Sequence, residues 1–273
     1  MSKVLNSMTE SITFVIPVAD DEVLKNNFLS SPIFTGKHKH EIIIQRGFIS
    51  ASTAYNSAIK ISINDLVVFA HQDVILPESW VSRLEESIIY LENKSINWGV
   101  LGCYGVRAES GKGIGIGKVY THGVGIHGQE IVMPENVDTL DEIVLVIRKS
   151  SGLLFNPTLP NYHLYGTDIC LSAREKGLKI YVIPTFCIHN TNQLLILPKE
   201  YFACYWHIKK RWIKYLPIFT SCIMISRFNR DLVLRRFHDT CMKILRRKTV
   251  ATQRVENPMQ LIEQIPKLKS LFR

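Results

Sequence analysis

Several patterns that mark familiar protein classes are missing from the sequence. The six cysteines of this 273-residue chain are widely scattered, with no CxxC pair and no dense framework, which favours buried free thiols in a reducing compartment. No apolar stretch follows Lys3, so a secretory signal is not expected. The longest apolar run near the C-terminus, residues 216–225, reaches only about half a bilayer span. These absences predict a cytoplasmic protein without a membrane-spanning helix.

Acidic residues are scarce in one part of the chain. Residues 201–254 hold 13 Lys and Arg but only two Asp, a local charge of +11 within a net charge of +9, which leaves −2 for the rest. The hydrophobic fraction of 46% can fill a sizeable core and excludes intrinsic disorder. The sequence therefore indicates a nearly neutral body with a basic region near its C-terminus, rather than a uniformly cationic nucleic-acid-binding protein.

Short runs of β-branched residues between turn formers predict a set of strands. Their apolar residues are continuous rather than alternating, which is typical of strands covered on both faces. The predicted strands span residues 11–18, 41–45, 65–70, 100–104, 143–147 and 179–183. Helical patterns lie between them, one starting near Pro77 and one over residues 167–176 with Thr167 as its cap and Gly177 as its end. This alternation predicts a parallel or mixed α/β sheet.

Glycine is concentrated in one segment. Ten of the 15 glycines lie between Gly99 and Gly128, where they alternate with Ile and Lys. No GxGxxG follows the first strand and opens a helix, so a dinucleotide fingerprint is not indicated. The segment is expected to form a flexible loop or a short hairpin near the active cleft.

Polar side chains follow several of the predicted strands. Ligands of α/β sheets bind outside the carboxyl ends of the strands, so these positions are candidate site residues. Each also has a purely structural interpretation: Asp73 as a turn cap, Asp168 as a helix cap, and His189 as an isolated structural histidine. The residues are Asp20 and Asp21 after the first strand, His71, Gln72 and Asp73 after the third, His189 after the last, and Asp168 at the start of a helix.

Five motifs in this order resemble the family-two nucleotide-sugar glycosyltransferases of the A-type (GT-A) fold. The motifs are the first strand with its Ala-Asp loop, SASTAYNSAI, FAHQDV in the place of Asp-x-Asp, YGTDICLSAREKG, and VIPTFCIHN. Together they cover roughly residues 11–190. The chain resembles in particular a bacterial subgroup with a His-Gln-Asp-Val motif and a Tyr-Gly-x-Asp segment.

The resemblance implies a role for each matched position. Asp73 would bind the Mn²⁺ or Mg²⁺ ion that bridges the donor diphosphate, with His189 as a second ligand. Asp168 would be the general base that deprotonates an acceptor hydroxyl for an inverting displacement. The positions expected to contact the nucleotide-sugar donor are Pro17, Ala19, Asp20, Arg46, Asn56, His71 and Gln72. The acceptor would be a glycan or a lipid-linked hydroxyl, in bacterial surface polysaccharide synthesis.

Two departures from the family pattern keep other functions open. His71 replaces the first Asp of Asp-x-Asp, and Thr167 replaces the Glu that usually precedes the catalytic Asp. The second strand ends in Gln45 and Arg46 rather than in acidic residues, which leaves Arg46 to meet a phosphate instead. The alternatives are a nucleotidyltransferase of sugar phosphates, which would need a Gly-rich phosphate loop after the first strand, and a non-catalytic carbohydrate-binding or scaffold relative.

The change in composition predicts two parts. Residues 1–196 would form one GT-A-like α/β domain, with a mostly parallel mixed central sheet flanked by helices, and residues 197–273 a basic, aromatic helical extension. For the extension, packing on the core competes with contact to an anionic membrane surface, which Tyr, Trp and Arg suit. Nucleic acid is not expected, because no recognised module is present. The expected location is the cytoplasm, peripheral on the inner face of the membrane.

Overall fold

The computed structural model describes residues 11–35, 40–194, 196–245 and 250–272. In chain order its strands are β1 (Ile12–Pro17), β2 (Glu41–Gln45), β3 (Leu66–Ala70), β4 (Val74–Ile75), β5 (Trp98–Gly102), β6 (Gly105–Glu109), β7 (Lys112–Ile116), β8 (Val119–Thr121), β9 (Gly125–His127), β10 (Glu135–Asn136), β11 (Thr139–Leu140), β12 (Val144–Arg148), β13 (Lys179–Val182), β14 (Ile188–His189), β15 (Gln193–Leu194) and β16 (Val250–Thr252). The helices are α1 (Asp21–Asn26), α2 (Ala51–Ile61), α3 (Trp80–Asn93), α4 (Tyr165–Glu175), α5 (Lys199–Arg211), α6 (Arg230–Ile244), α7 (Met259–Gln264) and α8 (Pro266–Leu271).

A mixed central sheet carries the fold. Its strand order is β10-β13-β5-β12-β3-β1-β2. Strand β1 pairs parallel with β2 and β3, and β13 pairs parallel with β5. Strand β12 is antiparallel to its neighbours β3 and β5, and β10 is antiparallel to β13. The predicted α/β class and each of the six predicted strands are therefore confirmed, with the strand bounds shifted by two residues or fewer.

Successive residues of the central strands enter two different apolar layers. In β1, Phe14 and Ile16 pack with α1 and α3 on one face, whereas Val15 packs with α2, α4 and α5 on the other. In β3, Val68 and Phe69 divide between the layers in the same way. Burial on both faces explains why these strands read as continuous apolar runs, since full burial of one such side chain contributes roughly 1.5–3 kcal/mol.

Helix α4 ends as predicted but begins differently. Gly177 follows it with a φ of +74°, a conformation that suits glycine at a helix C-terminus. Thr167 was expected to cap the helix, but the helix begins at Tyr165 and Thr167 lies inside its first turn, so that prediction is wrong. The physical reason is that Glu142, from a distant loop, accepts hydrogen bonds from the backbone amides near the helix start, at Leu164 and Gly166.

The glycine-rich segment contains a tight hairpin between β6 and β7. Its turn residues Ser110 and Gly111 have φ values of +51° and +77°, as a type I′ turn requires. At Gly117 the φ is +90°, and an added Cβ would lie 2.2 Å from the Cys103 carbonyl oxygen. The prediction of a short hairpin is confirmed.

The C-terminal part of the chain shares the core of the sheet. On α5, Tyr205 and Ile208 are fully buried in the same apolar layer as α2 and α4. Strand β16 pairs with β15, and Leu261 and Leu268 pack against Ile188 of β14. The predicted boundary between residues 196 and 197 thus marks a change of composition, while the two parts pack around a common core.

Two expectations drawn from absent patterns can be compared with the structure. All six cysteines are free; Cys222 is exposed and Cys241 is half-buried, so the prediction of buried thiols is confirmed for the other four. Among the described residues, no helix combines the length and the apolar character needed to cross a bilayer.

Candidate functional site

Three side chains suited to binding a metal ion converge beyond the carboxyl end of β3. His71 and Asp73 follow β3 directly, and His189 arrives because β14 pairs antiparallel with β4, which places His189 opposite Val74. The Nε2 atom of His189 lies 3.3 Å from Asp73 Oδ1 and 3.5 Å from His71 Nδ1. One ligand atom from each residue falls within 4.8 Å of the others. This His-Asp-His cluster could hold a metal ion.

The orientation of His71 is fixed from behind by Tyr165. The Tyr165 hydroxyl lies 2.8 Å from His71 Nε2 and donates its own proton to the Glu142 carbonyl oxygen at 3.2 Å. With the hydroxyl donating to Glu142, Nε2–H of His71 donates to the Tyr165 oxygen, and this tautomer leaves Nδ1 unprotonated. The Nδ1 lone pair of His71 then faces Asp73 and His189, the arrangement that neighbouring groups commonly impose on a metal-binding imidazole.

The three members of the cluster differ in their charge. Burial, together with the nearby His189, lowers the pKa of His71 to about 4, so its imidazole is neutral at pH 7. Burial alone would raise the pKa of Asp73, but His189, His71 and Arg254 outweigh it and hold that pKa well below its usual range. Burial lowers the pKa of His189, whereas the Asp73 carboxylate raises it more, so that the net shift is upward. The cluster therefore presents an ionised carboxylate beside a neutral imidazole.

The donor set fits one of the two expected ions better than the other. Two imidazole nitrogens and one carboxylate oxygen form a mixed set that transition-metal dications accept, whereas Mg²⁺ takes oxygen ligands almost alone, so of the two ions Mn²⁺ fits better. The Oδ2 atom of Asp73 accepts a 2.8 Å hydrogen bond from Arg254, while Oδ1 faces His189. A metal ion bound by Asp73 would therefore share its carboxylate with the Arg254 guanidinium.

A cavity of about 410 Å³ opens next to the cluster. Gln72 joins its walls, because Gln72 Oε1 accepts hydrogen bonds from the backbone amides of Ala19 and Asp20. On the far side Tyr162 donates a hydrogen bond to the Phe48 carbonyl oxygen. The cavity wall contains five of the positions predicted from sequence: Pro17, Ala19, His71, Gln72 and Asp73. The other residues of the wall are Val18, Gly47, Phe48 and Tyr162.

The remaining predicted donor contacts lie outside the cavity wall. The Asp20 carboxylate accepts from the amides of Glu22 and Val23 and caps α1. Arg46, next to the cavity residue Gly47, is half-exposed and forms an ion pair with Asp21.

The side chain of Asn56 has a structural role in its described contacts. It hydrogen-bonds both backbone groups of Phe155, donating through Nδ2 at 2.7 Å and accepting through Oδ1 at 2.9 Å. These contacts tie α2 to the loop after β12.

Asp168 is held by residues of the C-terminal region. It is 1% exposed, and its carboxylate accepts a 2.6 Å hydrogen bond from Trp212 Nε1 and pairs with Arg211 at 3.3 Å. Burial raises the pKa of Asp168, although Trp212 and Arg211 act in the opposite direction. The carboxyl predicted as a base thus has a base-like pKa shift but is covered by the C-terminal region.

Several residues of the site carry no signal in the sequence. Arg254 lies 181 residues from Asp73, and no motif surrounds it. Trp212 and Arg211 belong to the basic, aromatic extension, for which packing on the core and contact with an anionic membrane surface were both left open. Asp141 acts on the charges of both His71 and His189, although it belongs to none of the five matched motifs.

Comparison with known proteins gives a limited likeness. No protein-family model matches the chain. A curated protein of Fuscovulum blasticum, "ATP synthase subunits region ORF 6", is 28% identical over 130 residues, which cover 45% of this chain and 50% of that protein. The match thus spans about half the length of that relative.

Three solved structures are similar to part of this chain, at low TM-scores and low sequence identity. S. aureus TarS 1-349 gives a TM-score of 0.44 at 11% identity, and its complex with UDP gives 0.45 at 12%; each covers 65% of this chain and 60% of that chain. A197 from STIV gives 0.37 at 14%, covering 63% of this chain and 81% of that one. At these values the likeness assigns no family, so a function must be argued from the geometry of the site.

Proposed function

We propose that the protein is a glycosyltransferase that moves a sugar from a nucleotide-sugar donor to a hydroxyl group. The observation that carries the proposal is the His71–Asp73–His189 cluster, which adjoins a cavity at the carboxyl ends of parallel strands. This is the edge at which α/β sheets bind their ligands. A cation-binding group next to a cavity of this size suits a diphosphate with a nucleoside attached.

The cavity wall offers separate surfaces to the parts of the donor. Phe48 and Tyr162 provide aromatic side chains on which a nucleobase can stack. Arg46, next to the cavity residue Gly47, and Arg254, which bonds to Asp73, supply positive charge for the phosphates. The backbone of Ala19, held by Gln72, fixes the loop that follows β1.

The reaction needs charge neutralisation at the leaving group. A Mn²⁺ ion on His71, Asp73 and His189 would stabilise the charge that develops on the departing diphosphate. Tyr165 keeps the His71 imidazole in the required orientation, and Asp73 remains ionised at neutral pH because its cationic neighbours lower its pKa.

Asp168 is the proposed general base for the acceptor hydroxyl. Its raised pKa brings the carboxyl closer to the range in which a base works efficiently at neutral pH. Access requires Arg211, whose side chain is 35% exposed, to move from Asp168 Oδ2. A single displacement with this base would invert the anomeric configuration. A glycan or lipid-linked acceptor in bacterial surface polysaccharide synthesis, a cytoplasmic location and contact with an anionic membrane complete the proposal.

A panel of nucleotides and nucleotide sugars tests the donor site. Thermal unfolding is measured with each compound, with Mn²⁺ and with Mg²⁺. We expect a nucleoside diphosphate to raise the melting temperature more with Mn²⁺ than with Mg²⁺, and Asp73→Ala to lose this increase. Failure of every nucleotide to bind would falsify the proposal.

One observation favours a second function, a binding protein without catalysis. Both candidate carboxylates are covered by arginines of the C-terminal region, Asp73 by Arg254 and Asp168 by Arg211. Such a protein would be stabilised by nucleotide sugars in the same panel, yet would neither hydrolyse nor transfer them. Product analysis after long incubation with Mn²⁺ separates the two functions.

A further inference from the structure

Helix α6 carries an apolar stripe that points away from the protein. The members recur at helical spacing, so they occupy one face over about 20 Å of helix. Each is between 57% and 74% exposed, which is unusual for several large apolar side chains on one helix face. The stripe consists of Val233, Leu234, Phe237, Ile244 and Leu245, the last directly after the helix.

The opposite face of α6 attaches the helix to the rest of the protein. Leu232 is buried in the core layer that also contains Trp212. Asp239 is buried as well, and its carboxylate accepts hydrogen bonds from the Leu197 amide and from Arg235. The helix is therefore held with a fixed side outward, and its stripe does not result from a helix without tertiary contacts.

Basic side chains flank the stripe. Arg230 lies at its N-terminal end, and Arg236 and Lys243 lie on the side of α6 toward α5, where Arg236 is 5.4 Å from the Phe202 ring; all three are exposed. Phe228, 86% exposed, precedes the helix. Trp206 of α5, 46% exposed, lies nearby, because Lys209 both approaches the Trp206 ring and bonds the Asn229 side chain next to Phe228.

We propose that the stripe of α6 lies in the surface of an anionic lipid bilayer. An apolar helix face bordered by Lys and Arg, with Trp and Phe beside it, matches the polarity profile of the headgroup region. An anionic bilayer complements both the apolar stripe and the basic side chains. The apolar side chains would enter the acyl boundary while the cations remain at the lipid phosphates. The sequence indicated membrane contact for the whole basic extension. The exposed apolar residues of α6 favour one helix face as the place of that contact. The lipid contact rests on the membrane contact included in the proposed function, and the vesicle test can fail without affecting the nucleotide test of the transferase.

Vesicle co-sedimentation of the full chain tests the proposal. Vesicles of phosphatidylcholine with phosphatidylglycerol are compared with vesicles of phosphatidylcholine alone. We expect the chain to bind the anionic vesicles. We expect 0.5 M NaCl to weaken this binding, because salt screens the attraction between exposed charges. Phe237→Asp should lower the partition coefficient by about tenfold or more, because a large apolar side chain no longer leaves water.

Two further variants complete the design. Lys243→Glu should weaken binding to anionic vesicles by about fivefold or more and leave binding to neutral vesicles unchanged. Val132→Asp is the matched control, since Val132 is 83% exposed but lies outside α6, and it should bind as the wild type does. Thermal unfolding of each variant checks that the fold is retained, and Lys243→Glu provides the test if Phe237→Asp does not fold.

Three outcomes would overturn the proposal. The first is a wild-type chain that does not bind anionic vesicles, and the second is unchanged binding by folded Phe237→Asp and Lys243→Glu. The third is a wild-type dimer in analytical ultracentrifugation that becomes a monomer in Phe237→Asp while neither form binds vesicles. In that case a second copy of the chain covers the stripe.

Discussion

Asp73 and Asp168 are both buried aspartates that face an arginine of the C-terminal region, yet their surroundings shift their pKa values in opposite directions. Asp73 has two histidines and Arg254 around it, and its pKa falls. Asp168 has Trp212 and Arg211 as its main partners, and its pKa rises because burial outweighs them.

The difference shows that an arginine partner alone does not decide the charge of a buried carboxyl. The ion pair of Asp168 is longer, at 3.3 Å against 2.8 Å for Asp73. Trp212, the shorter contact of Asp168, is a neutral donor that stabilises the carboxylate less than a cation does. One carboxyl is thus suited to hold a cation and the other to accept a proton, the pairing that a metal-assisted transfer needs.

The largest expected effect is on the transfer rate, and it separates the proposed base Asp168 from the proposed metal ligand Asp73. Asp168→Asn should retain nucleotide-sugar binding in the presence of Mn²⁺ but lower the transfer rate by about 10²–10⁴-fold, because the amide cannot accept the proton. Binding is followed by thermal shift and transfer by product analysis. The matched control is Asp138→Asn, which changes another aspartate that pairs with an arginine, at 2.8 Å from Arg174. Normal turnover in Asp168→Asn would remove this residue as the base.

A smaller effect is expected on Mn²⁺ affinity when Arg254, the partner of Asp73, is replaced. Arg254→Gln should increase Mn²⁺ affinity by roughly tenfold, since removing one nearby cation strengthens the attraction of Asp73 for another. Isothermal titration calorimetry with Mn²⁺ and no nucleotide measures this directly. Arg174→Gln removes a comparable ion pair elsewhere and should leave Mn²⁺ affinity unchanged. Equal or weaker Mn²⁺ binding by Arg254→Gln would show that Arg254 does not compete with the metal.

The smallest effect is a pH dependence of stability. Because the folded-state pKa of Asp168 lies above its ordinary value of 3.8, the fold favours the protonated carboxyl. The contribution of Asp168 to stability is thus complete below pH 3.8 and is lost as the pH rises through the raised pKa. Relative to the wild type, Asp168→Asn should therefore gain stability between pH 4 and pH 7 in urea unfolding. A constant difference over this range would contradict the assignment.

Prediction from sequence succeeded where a pattern is local. Strand β3 is a continuous apolar run that is buried throughout, and α3 lies where the helical pattern starting near Pro77 placed it. The His71-Gln72-Asp73 segment follows β3, so its place at the sheet edge follows from the strand assignment. The predicted start of α4 was wrong because it depends on a distant residue. The amides near the helix start are bonded by Glu142, which no local pattern connects to Thr167.

The sequence by itself determined the α/β class, the strand order along the chain and the residues at the strand ends, because apolar runs and turn residues act over a few positions. Only the tertiary structure decided which carboxylates gained partners. Arg254 meets Asp73, and Trp212 meets Asp168, because the C-terminal region folds back onto the sheet and packs in its core. Burial and charge at a site are sums over all neighbours in space, and those neighbours are set by packing rather than by spacing along the chain.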